Sequence, residues 1–142
     1  MKQYKLYKLE DISDYFGYDL TKPKQIEKLT RKTSNLIRKF PEYDTWAKIK
    51  RRGYTHCPIC GKPPENAKPE VHHEPLTLFE IVFNYITELI DKNEILNYSP
   101  TEIARHILDQ HLNDKIDSIT ICELCHKEIH NLRKVNGEIF DE

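Results

Sequence analysis

The chain has 142 residues, 38% of them hydrophobic and 32% charged, which is enough for one ordinary domain with a modest core and excludes two large ones. Its longest apolar helical run, residues 78–90, is broken by Glu80, Asn84, Thr87 and Glu88, and no signal-peptide pattern opens the sequence. The expectation is a soluble, cytoplasmic protein with no membrane partner. The formal charge of −1 conceals a split, because eleven Lys or Arg against three acidic residues give the segment Lys22–Arg52 a charge of +8 and leave −9 for the remainder. Such a segment suits a polyanionic partner, or else forms a solvated helix face.

In chain order, Tyr4, Leu6, Leu9, Ile12, Tyr15 and Phe16 make a loosely helical stripe that ends near Gly17. After Pro23, the positions Ile26, Leu29, Thr33, Leu36, Ile37 and Phe40 fit a helix with a basic opposite face, and Pro41 stops it. A second short helix holds Tyr43, Trp46, Ala47 and Ile49, with the aromatics read as core anchors rather than base-stacking platforms. Residues 61–70, with three prolines, read as a loop leading to a strand at Glu70–His73. Thr77 with Glu80, and Ser99 with Glu102, are capping boxes that open two helices, the first burying Leu78, Ile81, Val82, Tyr85, Ile86, Leu89 and Ile90 and the second running to about Leu112. His106 and His111 on the second helix are five apart, share no face, and read as surface residues. Ile119-Thr120-Ile121 is a short β-branched strand, followed by a helix from Glu123 to about Lys134; Asn136-Gly137 marks a turn, after which Ile139 and Phe140 return to the core.

The chemistry-bearing residues are concentrated in three places. Cys57-Pro58-Ile59-Cys60-Gly61 and Cys122-Glu123-Leu124-Cys125 each space two thiols as in a zinc knuckle, so the four cysteines together make one tetrahedral set. In a secreted chain they could form two disulfides, but histidines beside paired knuckles favour zinc in a reducing compartment. His72 and His73, adjacent on an extended segment, point to opposite sides, so one can bind a metal while the other faces a substrate. His126 and His130, four apart on a helix, project about one turn apart and can share a second metal. Four thiolates already close a structural site, so a purely structural module gives no reason for His72, His126 and His130.

The order knuckle, two-histidine strand, strand, knuckle and two-histidine helix resembles the HNH endonuclease family of phages and mobile elements, through VHHEPL, CPIC and ICELCHKEIH. The resemblance covers Cys57 to about Arg133. It implies an α+β chain with a ββα-metal core at 54–142, a helical insertion at about 77–113, and an N-terminal helical, basic accessory region at 1–53. The implied activity is metal-dependent hydrolysis of DNA phosphodiesters, with His73 as general base and His72, His126 and His130 holding a catalytic Mg²⁺, Mn²⁺, Ni²⁺ or Zn²⁺ ion. The structural zinc would sit on Cys57, Cys60, Cys122 and Cys125, and Lys48, Lys50, Arg51 and Arg52 would grip DNA. The family's asparagine, which holds the loop between the strands and orients the base, falls at Asp117, an acceptor without the amide donor. A neutral imidazole that activates water and a cation at the leaving oxygen together suffice for this reaction. The alternative is a zinc-stabilised DNA-binding module without cleavage.

Overall fold

Prolines and capping residues lay out the helical framework. The computed structural model describes residues 12–135, and Pro23, Pro41 and Pro100 open α1 (Pro23–Lys39), α2 (Pro41–Arg51) and α4 (Pro100–Leu112), where the missing proline N–H costs nothing. Both predicted capping boxes form. Thr77 and Glu80 open α3 (Leu78–Asp91) and Ser99 and Glu102 open α4, each pair exchanging side-chain bonds of 3.0–3.1 Å with the other's backbone N–H.

The predicted helical stripe before Pro23 is corrected over its described part. Residues 12–20 are turns, because Tyr15 and Tyr18 exchange two 2.8 Å backbone hydrogen bonds across Phe16 (φ 48°) and Gly17 (φ 86°), and two successive left-handed residues end a right-handed helix. Ile12, Tyr15 and Leu20 are nonetheless buried. Tyr4, Leu6 and Leu9 at one end, and the turn at Asn136-Gly137 with Ile139 and Phe140 at the other, lie outside the described residues.

Helix α1 buries Leu29 and Ile37 together with Thr30, Thr33 and Ser34. The three hydroxyls donate to the carbonyls of Ile26, Leu29 and Thr30 at 2.7–2.9 Å, so small polar side chains are satisfied within their own helix where α1 meets α3 and α4. The resulting core joins Leu29 and Ile37 to Val82, Ile86, Ile103 and Ile107. The basic N-terminal segment and the helices of 77–113 are thus one helical layer. A second, smaller core surrounds the knuckles, with Ala67 and Ile121 packed among the cysteines.

The functional elements are β1 (Pro69–His73), β2 (Ser118–Cys122) and α5 (Glu123–Val135). The strands pair antiparallel with His72 opposite Ile119, His73 opposite Ser118 and Pro69 opposite Cys122. The ladder is extended at both ends, where Glu123 N–H donates to the Lys68 carbonyl at 2.8 Å and Glu74 N–H to that of Asp117 at 3.3 Å. Both α2 and α5 pack on this sheet, and the Lys50 carbonyl accepts the Thr120 hydroxyl at 2.8 Å, which fastens the end of α2 to β2.

Candidate metal sites and a basic cleft

The first knuckle is a tight turn closed by Gly61 N–H to the Cys57 carbonyl and Cys57 N–H to the Lys62 carbonyl, both 2.9 Å, with Gly61 at φ 77° where a side chain would be strained. It faces Cys122, the last residue of β2, and Cys125 in the first turn of α5. The four Sγ atoms lie within 4.8 Å of one another, and those of Cys60 and Cys122 are 3.6 Å apart. Tetrahedral Zn–S bonds of about 2.3 Å place two sulfurs about 3.8 Å apart, so the set fits one zinc ion. Backbone amides complete the arrangement: Cys122 N–H donates to Cys57 Sγ and Cys125 N–H to Cys122 Sγ, each at 3.4 Å. Burial alone would raise the Cys57 thiol, but the N–H groups of Cys122, Cys60 and Ile59 outweigh it and hold that thiol down at about 6. Burial and hydrogen bonds within the cluster push Cys125 up to about 12. A structural metal would take all four as thiolates.

The second cluster is made where β1 meets α5. His72, fully buried, and His126 and His130, one turn apart, offer nitrogens within 4.8 Å of one another, with ring centroids 4.4–5.9 Å apart. Two carboxylates orient two of the three: Glu74 Oε1 is 3.0 Å from His72 Nε2, and Glu70 Oε1 is 3.1 Å from His126 Nδ1. A carboxylate that accepts one ring N–H fixes the tautomer and leaves the other nitrogen with its lone pair, as a metal ligand requires. The donor set therefore suits a divalent cation of the borderline kind.

His73 points to the other side of the strand, as adjacent strand residues must, and is 2% exposed. It lies against the indole of Trp46 (centroids 5.5 Å, 24°) and the ring of Tyr43 (6.4 Å, 11°). Its Nε2 is 3.1 Å from His111 Nε2. His111 is therefore no surface residue, and that expectation is corrected: it is 1% exposed, and burial lowers its pKa. The signal was present, since His111 continues the buried stripe Ile103, Ile107 of α4 by one more turn. Among the described residues the buried Trp46 N–H has no hydrogen-bond partner, and ring packing holds the indole over the two histidines. His106 is exposed and stacks on Tyr85 at 4.7 Å.

His73 and His126 both line a cleft of about 560 Å³ along β1, together with Tyr43, Glu70 and the cationic side chains Arg38, Arg51 and Lys68. Of the four residues expected to contact DNA, Arg51 lines this cleft. Lys48 pairs with Asp44 at 2.9 Å and Lys50 with Asp114 at 3.0 Å, while Arg52 is exposed just after α2. Arg38 belongs to the basic segment expected to meet a polyanion but was not among the four residues named, and Lys68 was missed; only the packing of α1 and of the loop before β1 brings them together. Asp117 lies in a separate depression with Glu74 and Glu88, its carboxylate exposed, and meets the end of β1 through its backbone carbonyl.

These elements define a small α+β protein built around a four-cysteine cluster that suits a structural metal such as zinc. The chain belongs to the bacteriophage G278-like virion protein family, whose model matches residues 1–140, and so is a phage protein. No curated protein and no solved structure matches it. Among the described residues, no helix is long and apolar enough to cross a membrane.

Proposed function

We propose that this protein is a metal-dependent DNA endonuclease of the HNH type. The observation that carries the reading is the convergence of His72, His126 and His130 beside a cleft that also holds His73 and three cationic side chains. The arrangement of β1, β2 and α5, with one histidine ligand on a strand and two on the helix, supports a ββα-metal core with a zinc-stapled base. A divalent cation on the three histidines would draw off the charge that develops on the leaving oxygen.

The protein's own residues account for the remaining steps. Arg38, Arg51 and Lys68 bind phosphate oxygens and align the backbone of the nucleic acid along β1. In its neutral form His73 takes a proton from water as the water oxygen bonds to phosphorus. The P–O bond to the sugar breaks, and the leaving oxygen takes a proton from solvent. Trp46 and Tyr43 keep bulk water off the base and fix its ring plane. Glu70 and Glu74 keep His126 and His72 in register with each other.

The test is plasmid cleavage across Mg²⁺, Mn²⁺, Ni²⁺ and Zn²⁺. Metal-dependent nicking is expected, lost in His73→Ala with metal and DNA binding retained, and in His126→Ala shifted to higher metal concentration. A His73→Ala protein that nicks at the wild-type rate refutes the assignment. The burial of His73 beneath Trp46 favours a second reading, a zinc-stabilised DNA-binding module; DNA binding without cleavage under every metal would select it.

A further inference from the structure

A buried pair of histidines needs an account of its protons, and here the backbone supplies one. His111 Nδ1 is 2.8 Å from the carbonyl oxygen of Ile107, one turn back on α4. A carbonyl only accepts, so the proton of this contact sits on His111 Nδ1. In a neutral ring the other nitrogen, Nε2, then carries a lone pair. That nitrogen faces His73 Nε2 at 3.1 Å, and two lone pairs cannot face each other at such a distance, so the shared proton belongs to His73 Nε2. A neutral His73 so held carries its lone pair on Nδ1.

We propose that His111 is a positioning residue that fixes the tautomer of His73, relaying the direction of the Ile107 carbonyl through two rings so that Nδ1 is the basic nitrogen. This rests on the endonuclease reading for its catalytic consequence, though not for the tautomers themselves. Three features support it. The two contacts that link Ile107 to His111 and His111 to His73 are buried, so water does not compete for the nitrogens that make them. Trp46 contacts both rings, face to face with His73 and edge to face with His111, and Tyr43 contacts both as well. Desolvation lowers the pKa of His111, which favours the neutral ring that an acceptor must be. When His73 takes a proton from water it becomes a cation, and the His111 lone pair then accepts a charge-assisted hydrogen bond from its Nε2–H.

Long-range proton–nitrogen correlation spectra of the full zinc-loaded chain at mildly alkaline pH read the tautomers directly. His111 protonated at Nδ1 and His73 at Nε2 are expected in the wild type. His111→Phe removes the acceptor, and His73 should then exchange between tautomers. In His111→Gln the amide oxygen can accept, which should restore the Nε2–H form. In cleavage assays His111→Phe should lower kcat on the order of tenfold at unchanged half-saturating metal, with most of the loss recovered in His111→Gln. His111 protonated at Nε2 in the wild type, or His73 unchanged in His111→Phe, overturns the proposal, and so does an equal loss of kcat in both variants. The wild-type and His111→Gln spectra decide the matter even if His111→Phe does not fold. A wild type that cuts no DNA refutes the endonuclease reading while the spectra still decide the tautomers.

Discussion

Replacing Cys122 by serine should cost more stability than replacing any cap or surface charge in the chain. Cys122 is fully buried, ends β2, accepts the Cys125 N–H at 3.4 Å and lies 3.6 Å from Cys60 Sγ, so one atom joins the sheet, the knuckle and α5. Zinc binding to four such ligands contributes about 10–16 kcal/mol in small zinc modules, so a quarter of it is about 2.5–4 kcal/mol. That is a large part of the roughly 5–15 kcal/mol by which domains are stable. At about 3 °C per kcal/mol for a chain of this size, the midpoint should fall by about 10 °C. Thermal unfolding followed by circular dichroism, on protein whose zinc is quantified by elemental analysis, measures this. Adding a chelator should bring the wild type down towards the variant and move the variant little. A purified wild type without zinc, or a Cys122→Ser midpoint within about 2 °C of the wild type, would refute the reasoning.

The cleft makes a graded prediction for DNA binding: neutralising Arg38, Arg51 or Lys68 should each reduce the slope of log K against log salt by about one, whereas Lys48→Ala, whose partner is Asp44, should leave it unchanged. An equal effect at Lys48 would place the contact surface elsewhere. Because the Asp117 carboxylate is exposed and apart from the histidine cluster, Asp117→Asn should leave the half-saturating metal concentration as it is, and a rise like that of His126→Ala would make Asp117 a ligand. His111 also has a pH signature. Its folded pKa lies below its ordinary value of 6.5, so the unfolded chain takes up the proton first; stability is unaffected above that value and falls as pH drops through it towards the folded pKa. Urea titrations across this range should show a shallower acid slope in His111→Gln than in the wild type, and parallel slopes would mean that folding leaves the proton affinity of His111 unchanged. Thr77→Ala should lower stability by about 1 kcal/mol by removing the cap of α3, measurable in the same titrations as a lower midpoint at unchanged m-value.

Elements with a local cause were legible in the sequence. Proline and capping boxes located α1 to α4 because their signals act within four residues, and the cysteine and histidine spacings located both clusters because a ligand set constrains its own geometry. Two kinds of information were not local. Residues 12–20 have apolar spacing compatible with a helix, yet backbone conformation at Phe16 and Gly17 decides for a turn that buries the same side chains. His111 reads as a surface residue because its partner, His73, is 38 residues away. Arg38 and Lys68 likewise gain meaning only when α1 and the loop before β1 are brought to one cleft.

The junction of β2 and α5 has no spare residue: the strand ends at Cys122 and the helix begins at Glu123, with Cys125 and His126 adjacent in its first turn. Chain length here is therefore fixed to the residue. One residue inserted between Cys125 and His126 would leave all four thiols in place but turn His126 and His130 by about 100° around the helix axis, away from His72. Deleting one would turn them as far in the opposite sense. Side chains along the exposed face of α5 are free to drift among relatives, while insertions and deletions between Cys122 and His130 should be purged. Any homologue that carries one between Cys125 and His126 is expected to keep its zinc and lose its second metal.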